Sequence, residues 1–216
     1  MRKYILYITL FFGLVGFAQN SDLIPVNEYI KTTLNKENSE IKYRITATNT
    51  NDLGVTIYYG IQTYQNYPIL GTEFNAIVSK DKLISLNHHF LVNPSSINEI
   101  NVYKTSAAAV LQFLVEDYPI KKDEVVEINS GEYNYVNQTL SDEPIKIYKK
   151  WTLHEDKLIP VYEVSLYEKN HQHWYNTIID ASTKHILNRV DWVAECDSKP
   201  EIFRNFSKTI KSINPS

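Results

Sequence analysis

"GVTIYYGIQTYQNYPILGTEFNAIVSKDKLISLNHHFL", residues 54–91, is the stretch on which the fold turns. In 54–64, Val55, Ile57, Tyr59 and Ile61 fall on one face and Thr56, Tyr58 and Gln62 on the other, the period of a strand. "QNYP" (65–68) breaks that strand, because Pro68 has no N–H to give a central ladder. "TEFNAIVS" (72–79) alternates again through Phe74, Ala76 and Val78. "KDK" (80–82) is a tight polar turn, and "LISLNHHFL" (83–91) is a third strand. Three antiparallel strands joined by short turns make a meander.

On the N-terminal side, "PVNEYIKTTL" (25–34) opens on proline and sets Val26, Tyr29, Ile30 and Leu34 at helical spacing; "KENSE" (36–40) then reads as a turn. On the other side, "NPSSINE" (93–99) marks a boundary, and "TSAAAVLQFLVEDYP" (105–119) is the strongest helix signal. Thr105 or Ser106 can cap its start, Ala107, Val110, Leu111 and Leu114 form its apolar stripe, and Pro119 stops propagation. Strands follow at 144–154 and 157–168, where Leu158, Tyr162, Val164 and Leu166 share a face. Past the turn "KNHQ" come strands 173–180 and 185–193, joined by "ASTK".

Helix then strands, twice over, predicts an α+β chain of two small helix-plus-antiparallel-sheet units, 19–98 and 99–195. A polar tail spans 196–216. The start, "MRKYILYITLFFGLVGFAQN", reads as a secretory signal peptide over 1–18. Arg2 and Lys3 precede an apolar run, and Gly16 and Ala18 sit at −3 and −1 of a cleavage site. The run is shorter than the ~20 apolar residues a spanning helix needs, so no stable membrane anchor is expected.

The net charge of −3 falls further once Arg2 and Lys3 are removed, which argues against a nucleic-acid partner. Cys196 is the only cysteine, so no intrachain disulfide can form and the thiol is free or pairs with another molecule. No GxGxxG or GKS/T phosphate loop occurs, and no cofactor is expected.

Candidate chemistry centres on "HQHWYNTIID" (171–180). His171 and His173 at i, i+2 point the same way if both lie in a strand, but the other histidines (88, 89, 154, 185) offer no matching cluster. A solvated strand start is the simpler reading. His154-Glu155 is followed by Leu158 where His-Glu-x-x-His needs its second imidazole, so that zinc motif is absent. No GxSxG elbow exists, and Cys196 has no neighbouring base. Glu116-Asp117 and Asp123-Glu124 look like solvated ends. Trp151, Trp174 and Trp192 fall in strands, with core or sheet-edge packing the default. Asn137-Gln-Thr139 and Asn205-Phe-Ser207 match the glycosylation sequon, which has meaning only in a eukaryotic secretory pathway. No catalytic, cofactor-binding or metal-ligating residue is assigned.

Three stretches together resemble the propeptide region of secreted fungalysin-type zinc metallopeptidases. Residues 54–91 are similar to the fungalysin/thermolysin propeptide motif: a strand ending in Gln62-Thr63-Tyr64, a turn at Asn66-Tyr67-Pro68-Ile69, and a second turn at Lys80-Asp81-Lys82. The glycine usual in both turns is missing. "TSAAAVLQFLV" resembles the alanine-rich helix that follows. Residues 171–196 resemble a closing PepSY-like hairpin through Trp174, Asp180-Ala181, Leu187, Asp191-Trp192-Val193 and Cys196, with Lys184 where glycine is usual.

The resemblance implies a cystatin/PepSY-like fold and a non-enzymatic role. It points to a stand-alone, exported propeptide-like protein whose partner is a secreted metallopeptidase catalytic domain, which it inhibits or helps to fold. Two other expectations stand beside it: a remnant of a metallopeptidase gene, or an envelope module that captures peptide or polysaccharide. No contact residue is assigned for any of them.

Overall fold

The computed structural model describes residues 24–34, 40–91 and 103–193. The signal peptide, the boundary at 93–99, the tail and Cys196 lie outside the described residues. In chain order the elements are α1 (Ile24–Leu34), β1 (Ile41–Thr50), β2 (Val55–Tyr64), β3 (Tyr67–Ser79), β4 (Lys82–His88) and α2 (Ala107–Leu114). β5 (Val125–Asn129), β6 (Glu132–Tyr135), β7 (Ile145–His154), β8 (Lys157–Tyr167), β9 (Trp174–Asp180) and β10 (Ile186–Asp191) complete the set.

These ten strands form one sheet ordered β1-β2-β3-β7-β8-β9-β10, with β4 also on β3 and the β5–β6 hairpin on β7. The expected α+β fold of two helix-plus-sheet units is therefore wrong: the described residues are mostly β, a single ten-stranded sheet with two short α-helices. The cause lies in β3. It does not wait until after Pro68 but begins at Tyr67, and its first residues reach β7 through the parallel bridge Ile69↔Trp151. Pro68 is tolerated because it is the second residue of the strand, opposite Thr63. The junction has its own core, with Tyr64, Ile69, Trp151 and Leu158 all buried. Three strands also escaped the sequence reading, namely β1, β5 and β6.

Two-residue turns set the hairpins. Gln65-Asn66, Lys80-Asp81 and Glu155-Asp156 all have φ between 47° and 69°, the left-handed pair that matches strand twist. None is glycine, so each turn accepts strain that glycine would avoid. α2 starts as expected, the Ser106 hydroxyl accepting from Ala109 N at 3.2 Å. It stops at Leu114, well short of Pro119. There the Gln112 side chain takes over the chain, donating to Tyr118 O (2.9 Å) and accepting from Ile120 N (2.7 Å).

Opposed residues in a ladder share a face, so the register can be followed from strand to strand. Tyr58, Ala76 and Leu86 lie together; so do Tyr64 and Tyr67, then Ile69 and Trp151, then Tyr162 and Ile179. This is one continuous face, and both helices lie on it. Val26 and Ile30 of α1 pack with Tyr58, Phe74, Ala76, Val78 and Phe90. Ala107, Val110 and Leu111 of α2 pack with Tyr135, Ile147, Tyr162, Val164 and Ile179. Tyr29, expected on the α1 stripe, is 39% exposed instead.

Candidate interaction surface

Two shielded helices on one side leave the other side of the sheet without a helix among the described residues. In the first half that side carries Val55 and Ile57, half-buried, Tyr59, exposed, and Ile61, buried. Asn75 and Asn87 are bonded across β3 and β4 at 3.1 Å on the same face. In the second half it carries Val126, 54% exposed, and next to β6 Val136, 68% exposed. Trp174, 46% exposed, stands at the other end, its indole N–H donating to Ser165 Oγ at 3.0 Å.

A polar band separates these apolar ends. Lys150 and Glu163 form an ion pair with side chains only 21% and 16% exposed, and Asn176 Nδ2 donates to Glu163 Oε1 at 3.0 Å. Lys150 Nζ also lies 5.6 Å from the Tyr148 ring centre. Burial, and after it the charges of Glu132 and Glu163, hold the Tyr148 hydroxyl above its ordinary value. A face with apolar ends and a polar centre built on the Lys150–Glu163 pair, in which the buried Asn176 Oδ1 has no partner, suits surface recognition.

The histidines do not converge. His171 has φ 60° and lies in the β8–β9 turn, so strand alternation does not apply to it. Its Nε2 meets Asp142 Oδ2 at 3.1 Å, and Lys169 contacts the other oxygen of that carboxylate. The hydrogen bonds from Lys169 and then His171 hold the Asp142 carboxyl below its usual range. His173 turns to a different partner, Asp191, and stacks on Tyr175. His88 stacks on Phe90 and accepts from its N–H, while His89, His154 and His185 are exposed.

Among the described residues no group of three or more His, Cys, Asp or Glu side chains could hold a metal ion. Glu116, Asp117, Asp123 and Glu124 are solvated, as expected. Asn137 donates to the Tyr135 hydroxyl at 3.0 Å, and Asn205 lies outside the described residues. Of the tryptophans, Trp151 is core, whereas Trp174 and Trp192 are each 46% exposed.

The motif positions singled out between residues 62 and 82 turn out to be architectural. Buried Gln62 grips the backbone of Leu91 from both sides, accepting from its N–H at 2.7 Å and donating to its carbonyl at 3.3 Å. Tyr64 packs edge-on against Trp151, with ring centres 4.8 Å apart. Gln65-Asn66 and Lys80-Asp81 are the hairpin turns.

Residues 42–90 match the Fungalysin/Thermolysin Propeptide Motif, which spans β1 to β4 and so includes β1, the strand the sequence reading passed over. The motif points to a non-catalytic region, the propeptide of a thermolysin-like protease, and with it to export. A search of curated proteins finds no match to the chain. No helix among the described residues is long and apolar enough to cross a membrane.

Proposed function

We propose that this protein is an exported, propeptide-like binder of a secreted metallopeptidase catalytic domain. It is exported by the signal peptide ending near Ala18, and it inhibits the enzyme or assists its folding. The observation that carries this reading is the propeptide motif at 42–90. The sheet face that no described helix covers supports it by supplying a preformed surface, which lowers the ordering cost of association. The module acts by shape and surface chemistry and performs no bond-breaking step of its own.

The test is a titration of the purified protein against a thermolysin-like metallopeptidase, reading both peptide hydrolysis and refolding yield. Slowed hydrolysis or improved refolding at micromolar protein is expected, and no change in either would sink the proposal. Substituting Trp174 and Tyr59 together with serine should weaken the effect at least tenfold, since exposed aromatic side chains commonly anchor interfaces.

The exposure of Trp174 and Trp192 favours a second reading, an envelope module that captures peptide or polysaccharide. Sedimentation with insoluble cell-wall polysaccharide, lost in Trp174→Ala, would select that reading over the first.

A further inference from the structure

Lys149 is half-buried on the core side of the sheet, where desolvation disfavours its ammonium. It lies on the helix side of β7 between Ile147 and Trp151, both fully buried, and directly opposite buried Tyr162. An ammonium in such a place needs compensation. The surroundings supply it: Lys149 Nζ is 5.5 Å from the ring centre of Tyr67, 5.0 Å from Tyr103 and 5.7 Å from Tyr133. Aromatic faces within about 6 Å attract a cation through the ring quadrupole. Burial by itself pulls the ammonium down. The hydrogen bond that Lys149 donates to the Tyr133 side chain, and the Coulombic pull of Tyr133, Tyr67 and Glu127, outweigh it and leave Lys149 above its ordinary value.

The three rings come from three separate pieces of chain. Tyr67 opens β3, inside the propeptide motif; Tyr103 precedes α2; Tyr133 belongs to β6. Tyr103 is edge-on to Tyr67, Trp151 and Tyr162, and its hydroxyl donates to Lys150 O at 2.6 Å. Gly131, in the β5–β6 turn with φ 76°, completes the wall. A Cβ there would collide with the Tyr67 ring, and its carbonyl accepts from Lys149 N at 2.7 Å. Only one backbone bridge, Ile69↔Trp151, joins β3 to β7, so side chains must do much of the joining.

We propose that Tyr67, Tyr103 and Tyr133 form a monocation site whose resident ligand is the Lys149 ammonium, and that this occupancy fastens the propeptide-motif half to the rest of the sheet. It follows that the box accepts a free alkylammonium ion when the lysine is shortened. Nothing in this depends on the identity of the protease partner.

The experiment follows thermal unfolding of the whole protein by calorimetry, comparing wild type with K149R, K149M and K149A. Arg keeps the cation and Met keeps the bulk without it. K149M should lower the midpoint by about 3–8 °C and split or broaden the transition, whereas K149R stays near wild type. Propylammonium chloride should raise the midpoint of K149A but not that of wild type, with sodium chloride of equal strength as control. A single K149M transition at the wild-type midpoint overturns the proposal, as does a propylammonium effect of equal size on both proteins. Should K149A fail to fold, equal losses in K149M and K149R overturn the cationic role, and a loss confined to K149M supports it.

Discussion

In β8 the side chains turned towards the helices are Leu158, Tyr162, Val164 and Leu166, all buried; in β2 they are Thr56, Tyr58, Gln62 and Tyr64, equally buried, while Val55 and Ile57 look away. The two strands carry the same period and opposite polarity. β8 faces α2, whose buried residues Ala107, Val110 and Leu111 offer small and aliphatic surface. β2 faces a layer filled by rings, Phe74, Phe90 and Tyr43, with Val26 and Ile30 of α1 above. In that layer Gln62 serves as a backbone clamp. Alternation therefore reports that a segment is a strand, but the layer packed against it decides which face is inside.

The comparison breaks most completely where the halves meet. Trp151→Ala should cost about 3–5 kcal/mol and unsettle both halves, because Tyr64 and Tyr103 each pack edge-on to that indole. Denaturant melts of the variant check this; a loss under about 1 kcal/mol would mean the junction core matters little. A sharper test uses neighbours. Tyr58→Ala should destabilise by about 2–5 kcal/mol and Tyr59→Ala by less than about 1 kcal/mol, since the first ring is 1% exposed and the second 42%. Equal losses would mean that the assigned inner face is wrong.

Alkaline pH probes the junction as a whole. Burial, and then neighbouring Tyr162, Tyr67 and Tyr133, raise the Tyr103 hydroxyl far above its ordinary 10.0; burial raises Tyr162 likewise. Lys149 is raised above 10.5. In every case the folded chain holds protons that the unfolded chain has released. Stability is thus full below pH 10 and declines as pH rises beyond it. A midpoint that stays level from pH 9 to about 11 would contradict this. The smallest expected effect is a gain. Asp81→Gly, at φ 59° in a turn suited to glycine, should stabilise the β3–β4 hairpin by about 0.5–1 kcal/mol, seen as a raised melting midpoint.

What could be read in advance followed local signals. The β2–β3–β4 meander, the α2 helix with its Ser106 cap and the strands from 144 to 193 all announce themselves by period and turn residues. β1 did not, because its second half, "TATNT", is exposed throughout and has no apolar alternation to show. β5 and β6 are short, and Val126 and Ile128 face solvent. The union into one sheet rests on a contact between Ile69 and Trp151, far apart in the chain, for which no local pattern exists. The exposed aromatic end of the uncovered face was equally hidden. Trp174 has the same composition signal as Trp151, and only the register separates the exposed indole from the buried one.

Asp191, the last residue of β10, also sets where the chain can be cut. One oxygen of its carboxylate accepts from Trp174 N and Val193 N, both at 3.1 Å, and the other meets His173. A shortened gene ending at 190 would remove the residue that holds the neighbouring hairpin's exit, although every other strand would be intact. Expression boundaries for biophysical work therefore belong beyond Val193, and a proteolytic fragment trimmed short of it would present the Trp174 end of the surface in a different shape.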